Sequence, residues 1–221
     1  MRRPLEGVRV HLSGSVPDDA TEDQRNGIRE FALRLASAVL KSGGTLIHGS
    51  HPTITVALLE AAKLFVDAGG SRDSMILVRD DKYAKSAEQL FEIKEQRALA
   101  TVQLIPSDAG NPSTSLVAMR EWMAERSDIF VAIGGKWYDL NPARAGVVAE
   151  LEFALERGRP GFVLGGFGGA VRSYLAEDGC DLLSRLRNGL TTESNRLISE
   201  SPNPEGLVQD ILGQIKRLPS S

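Results

Sequence analysis

The sequence predicts an α/β protein with a doubly wound, mainly parallel sheet and helices on both faces. Three observations lead there. Short, almost wholly apolar runs of four or five residues recur, as in Met75–Val78 and Ile129–Ile133, and such runs suit strands buried on both faces. Stretches with apolar residues at helical spacing lie between them. The two kinds of segment alternate regularly, with glycine at several strand ends, as right-handed βαβ units require.

Each element has its own signal. Val8–Leu12 reads as the first strand, ended by Ser13-Gly14-Ser15. A helix from Glu22 to Lys41 follows, with Ile28, Phe31, Leu35 and Val39 on one face and Ser42-Gly43-Gly44 as its stop. Thr45–His48 is the second strand, and Pro52 starts a helix that runs to about Val66. Met75–Val78 is the third strand, Ser86–Ala100 a helix and Thr101–Ile105 the fourth strand. Asn111-Pro112 opens a helix through Leu116, Met119 and Met123. Ile129–Ile133 is the central strand, and a helix begins at Gly146. Gly161–Leu164 is the last strand. Beyond it come a helix over Ala170–Glu177, a short one over Leu182–Leu186, a polar link at Thr191–Asn195 and a final helix from Pro204 to Leu218. With no internal repeat and no linker, residues 1–221 read as one domain with a C-terminal helical extension.

Composition narrows the function. The chain has 221 residues, 42% of them hydrophobic and 25% charged, with a net charge of −3. An acidic pI of about 5.7 argues against a protein that coats DNA or RNA. The single cysteine, Cys180, allows no disulfide framework and no cysteine zinc site; it suits a small packed side chain. Three histidines, His11, His48 and His51, are too few for a metal site, so neither metal nor cofactor is expected. No run approaches the ~20 apolar residues of a membrane helix, and no signal peptide is evident, so a cytoplasmic location is expected.

Four strand ends carry glycine beside small hydroxyl or basic residues. They are Ser13-Gly14-Ser15, Gly49-Ser50-His51, Gly134-Gly135-Lys136 and the turn Gly165-Gly166-Phe167-Gly168-Gly169. In a parallel sheet such turns share the carboxyl edge, where ligands bind. Each alone reads as a turn; together they suggest an anion or nucleotide cleft. The first turn is not G-x-G-x-x-G and no Walker lysine motif occurs, which removes support for nicotinamide hydride transfer and P-loop ATP hydrolysis. Arg120, Lys136, Arg144 and Arg172 are candidate phosphate partners, and a surface salt bridge is the other reading of Arg120. His51 reads equally as a contact to base or phosphate and as polar loop. Trp122 and Met123 suit packing, whereas Trp137 or Tyr138 could stack on a base. Glu150 either favours the macrodipole early in its helix or faces the cleft, binding ribose hydroxyls or stabilising an oxocarbenium ion; Glu152 and Glu156 read as the solvated face.

The residues from Val8 to Ala170 resemble the SLOG superfamily of Rossmann-like domains. That group includes the LOG phosphoribohydrolases, the DNA-processing protein A family and nucleotide-sensing SLOG domains. The resemblance rests on Val10–Ser15, on Gly43–Ser50, and on Met119-Arg120 through Ser127–Gly135 to Gly146 and Glu150. LOG enzymes carry P-G-G-x-G-T-x-x-E after the central strand. Here Gly134-Gly135 match the double glycine, and Gly146 and Glu150 match the later spacing. Ile133 replaces the proline, Val147 replaces the threonine, and Lys136–Ala145 replace a single residue; Arg120 falls one position from the family arginine. The pattern looks closest to SLOG domains of bacterial conflict and anti-phage defence systems. The resemblance implies a nucleotide or ADP-ribose-type ligand, held by Ser13, Gly14, Ser15, Gly49, Ser50, His51, Gly134, Gly135, Lys136, Gly146 and Gly166. It implies Glu150 and Arg120 as catalytic residues should the chain be a LOG-like phosphoribohydrolase of nucleoside 5'-monophosphates. It also implies a homo-oligomer and an effector protein as a partner, with nucleic acid not expected.

Overall fold

The computed structural model describes residues 3–106, 112–138 and 145–219, without the side chains of 112–114 and 178–180. Six parallel strands form one sheet in the order β4-β3-β2-β1-β5-β6. They are β1 (Arg9–Ser15), β2 (Thr45–His48), β3 (Met75–Asp80), β4 (Thr101–Ile105), β5 (Ile129–Gly134) and β6 (Gly161–Leu164). The helices are α1 (Glu22–Lys41), α2 (Pro52–Asp67), α3 (Ala87–Gln96), α4 (Pro112–Arg126), α5 (Gly146–Glu156), α6 (Gly169–Arg185), α7 (Thr192–Glu200) and α8 (Pro204–Ile215). The doubly wound Rossmann-like fold that the alternation predicts is the fold observed.

Alternation along the strands sorts the core into two layers. Val10 and Leu12 of β1, with Val131 and Ile133 of β5, pack with α1, α2, α3 and α8. Phe130 and Ala132 face α5 and α6 on the other side. Ile47 and Val78 meet Met119 and Met123 of α4 on that same side. Winding from β1 to β4 places helices on the first face, and the return to β5 places α4 and α5 on the second. The winding therefore reverses between β1 and β5.

Local sequence fixes the helix ends. Thr21 and Gln24 form a reciprocal capping box at α1, and Ser86 and Gln89 form another at α3. His51 caps α2 with its ring, and Pro52 occupies the first turn. At α5 no side chain caps the first turn, and no acidic residue lies in it.

The structure corrects three boundaries and one side-chain role. Ser13-Gly14-Ser15 is not a turn; it is the end of β1, paired with Ala132, Ile133 and Gly134. The two short helices expected over Ala170–Leu186 are one continuous α6. The polar link at Thr191–Asn195 is the start of α7, with Thr191 as its cap, because Thr-Glu-Ser-Asn is good first-turn chemistry as well as loop chemistry. Glu152 is not simply solvated: it accepts from Tyr174 Oη at 2.8 Å and from Arg185 at 2.7 Å, which ties α5 to α6. Among the described residues no helix is long and apolar enough to cross a membrane.

Gly134 has φ +62°, and an added Cβ there would strike the Ser15 carbonyl oxygen. Backbone strain and a backbone clash coincide, so Gly134→Ala should lower stability by about 1–3 kcal/mol or more. Urea denaturation checks this; an unchanged midpoint would show that β1 and β5 can move apart.

Candidate functional site

The carboxyl ends of β1, β2 and β3 open into a cavity of about 730 Å³. Gly14, Ser15, Gly49 and Ser50 bring backbone to it. Leu116, Met119 and Arg120 of α4 form one wall, and Gly146, Val147 and Glu150 of α5 form the next. Arg79, Asp80, Tyr83, Gln89 and Glu92 close the far end at the β3–α3 corner. The winding reversal separates the connections after β1 and β5 here, where a doubly wound sheet leaves room for a ligand.

Glu150 is the central charge. Its side chain is 13% exposed, and its Oε2 lies 3.2 Å from Nε2 of the wholly buried His11. Burial opposes ionisation, but His11, the Ser13 hydroxyl and the Arg120 charge together hold the carboxyl below its ordinary value. The acid is thus an anion at neutral pH. His11 also packs edge-on against Phe130, at 5.1 Å between ring centres. Ser50 Oγ and Arg120 Nε are buried without a protein hydrogen-bond partner. Such unmet groups beside a cavity are the mark of a site prepared for polar company.

His11 touches this carboxylate, and His48 and His51 lie near enough to feel its charge. His48 Nδ1–H donates to the Leu12 carbonyl at 2.9 Å, and its Nε2 accepts from the His51 N–H at 3.1 Å. Both nitrogens are used, so the ring is neutral in one tautomer, and burial pushes its pKa down to about 4. His51 spends its ring on Thr53, whose hydroxyl accepts from the Val16 N–H. Burial lowers its pKa as well. Among the described residues no group of three or more acidic, histidine or cysteine side chains could hold a metal ion.

The predicted residues divide cleanly. Ser13, Gly14, Ser15, Gly49, Ser50, His51, Lys136, Gly146, Arg120 and Glu150 all line the cavity. Ser50 adopts φ +57°, a strained conformation for a residue with a side chain. Gly134, Gly135 and Gly166 do not line it. Gly135 donates to Ser15 O and accepts from Ala170 N, both at 2.8 Å, so the double glycine brings β5, β1 and α6 together. An added Cβ at Gly166 would meet the backbone of Glu200 and Ser201, so that turn serves the packing of α7. Lys136 is paired with Asp18 at 2.6 Å, on the surface. Arg172 is exposed on α6, and Tyr138 rather than Trp137 reaches the cavity. Trp122 packs against the α4 core cluster and under Arg126 at 4.5 Å. Arg144 and the Cys180 side chain lie outside the described residues. The residues that sequence reasoning missed are His11, His48, Arg79, Asp80, Tyr83, Gln89 and Glu92. For Asp80 a signal existed, an acid at the carboxyl end of a strand; for His11, in mid-strand, there was none.

Comparison with known proteins fits this geometry. Residues 75–178 match the family model described as SLOG cluster2. The match runs from β3 into α6, and so takes in Arg120, the double glycine, Gly146 and Glu150. Among solved structures, the X-ray structure of TM1055, a Northeast Structural Genomics Consortium target, aligns with a TM-score of 0.50 at 18% identity. The alignment covers 76% of this chain and 81% of that one. At that identity the likeness speaks for the fold. No curated protein matches.

The buried, neutral His48 makes stability depend on pH. An unfolded histidine takes up its proton near 6.5, and the folded one only near 4. Between those values the unfolded chain binds the extra proton, so stability is full above about 6.5 and is lost as pH falls toward 4. The expected loss is up to about 3 kcal/mol. His48→Asn keeps a donor for the Leu12 carbonyl but has no titration. Urea midpoints at pH 7 and pH 4.5 should therefore fall less in the variant; equal falls would assign the effect elsewhere.

Proposed function

We propose that the cavity binds a nucleotide or an ADP-ribose-type ligand. One observation carries the reading: an ionised, buried carboxylate stands about one turn inside a helix whose N-terminus is open. The first N–H groups of α5 have no side-chain cap, and no acidic residue in the first turn opposes an anion. A helix end of that kind attracts phosphate. The Arg120 guanidinium supports it, because a Cβ added at Gly146 would stand 3.3 Å from Arg120 Nη2. Glycine leaves the guanidinium room beside the helix end; a side chain there would press on it. Glu150 has lone pairs to accept from ribose hydroxyls, and Ser50 offers a hydroxyl without a protein partner. The match of residues 75–178 to the SLOG cluster2 model supports the same class of ligand.

A second reading has its own support. The carboxyl of Glu150 is held below its ordinary value beside Arg120. A permanent anion suits stabilisation of an oxocarbenium ion, and a guanidinium suits an anionic group of the substrate. LOG-like cleavage of the N-glycosidic bond of a nucleoside 5'-monophosphate would use both.

Isothermal titration with ADP-ribose, cyclic ADP-ribose and AMP tests the first reading. Binding is expected, weakened about 10- to 100-fold in Arg120→Ala and about 10-fold in Glu150→Gln. No heat with any of the three would remove the reading. Release of free adenine from AMP, lost in Glu150→Gln, would favour the second; an inert wild type that still binds AMP would leave only the first.

A further inference from the structure

We propose that the β3–α3 corner reads an exocyclic amine on the ligand's base, so that the preferred ligands carry an amino-bearing base such as adenine or cytosine. The inference rests on the nucleotide reading of the same cavity.

Asp80 ends β3 at the cavity and is 1% exposed. Its Oδ1 accepts from the Lys82 N–H at 3.0 Å, and its Oδ2 lies 3.0 Å from Lys82 Nζ. A carboxylate has about four lone-pair sites, so Asp80 keeps acceptor capacity. Gln89 supplies the complement. Its Oε1 accepts from the Lys85 and Ser86 N–H groups, both at 3.1 Å. Those two bonds fix which end of the amide is oxygen. The amide nitrogen is therefore the free end, and it can only donate. One acceptor and one donor from neighbouring elements match an amino group beside an unprotonated ring nitrogen. Adenine and cytosine present that edge. Hypoxanthine and uracil present a keto oxygen beside an N–H, the reverse pattern.

The rest of the corner suits a base better than a phosphate. Arg79 is locked to Glu92 by two bonds at 3.2 and 2.9 Å, and Lys82 is held by Asp80. Both cations are thus committed to carboxylates. Leu116 and Met119 of α4 and the ring of Tyr83 offer the apolar surface a flat ring needs. The open end of α5 lies on the next wall, where Arg120 reaches Gly146. The cavity therefore has polarity: anion at α5, ribose at Glu150, base at Asp80.

Matched nucleotides differing only in that group decide the matter. Affinities for AMP against IMP, and CMP against UMP, are measured by isothermal titration. AMP and CMP should bind about 10-fold or more tighter than their keto partners. Asp80→Asn keeps an oxygen for the Lys82 N–H and should bring both ratios close to one. Gln89→Glu keeps the helix cap, removes the donor, and should weaken AMP and CMP selectively. Equal affinities within both pairs for the wild type would overturn the proposal and leave the nucleotide reading standing. No binding of any of the four would overturn both. The wild-type comparison needs no variant, so a variant that fails to fold does not affect it.

Discussion

Everything in this site follows from a sheet that reverses its winding between β1 and β5. Right-handed crossovers put α1 on one face and α4 and α5 on the other, so no helix can cover the junction of the two central strands. Those strands must also lie close. Ser15 pairs with Gly134, and a Cβ at Gly14 would come 2.6 Å from Ile133 Cγ2. The glycines at this seam are spacing devices. They let β1 and β5 run together to their ends.

That placement has an electrostatic consequence. Closing α5 onto β1 buries Glu150 against His11, and a buried carboxylate without company would take up a proton. His11, Ser13 and Arg120 come from β1 and α4, two elements on different sides of α5, and together they keep it charged. The polar residues of mid-β1 therefore make sense. Val10 and Leu12 face the apolar layer, whereas His11 and Ser13 alternate to the side of the acid. A purely apolar strand would pack as well but would leave Glu150 neutral or unpaired.

Legibility in the sequence tracks the range of the interactions. Strands and helices were readable because periodicity and capping are local: the bounds of α1 and of β2 fall where the pattern puts them. Glu150 and Arg120 were readable as candidates because each lies at a position with its own local meaning, early in a helix or on the helix before the central strand. The packing role of the double glycine was hidden for the same reason. A strand-end Gly-Gly looks alike whether it cradles a ligand or admits a neighbouring backbone, and only the Ser15 and Ala170 contacts separate the two. The pairing of His11 with Glu150 was illegible: the two meet through register and crossover, neither of which any short stretch encodes. Lys136 was legible as a cavity residue, but its ion pair with Asp18, 118 residues away, was not.

The acid is also the reason the cavity's two ends differ. Helix α5 offers its positive end at Gly146, yet one turn later places a fixed negative charge on the same wall. An anion is welcome at the first point and repelled at the second. A ligand that satisfies both must be negative at one end and carry hydrogen-bond donors a few atoms further on. A free phosphate meets only the first demand, and a simple sugar only the second. A phosphorylated ribose meets both, and the remaining length of cavity toward β3 leaves room for what the ribose carries. Selection for such a ligand thus needs no motif beyond one uncapped helix, one buried acid and the sheet geometry that sets them about a turn apart.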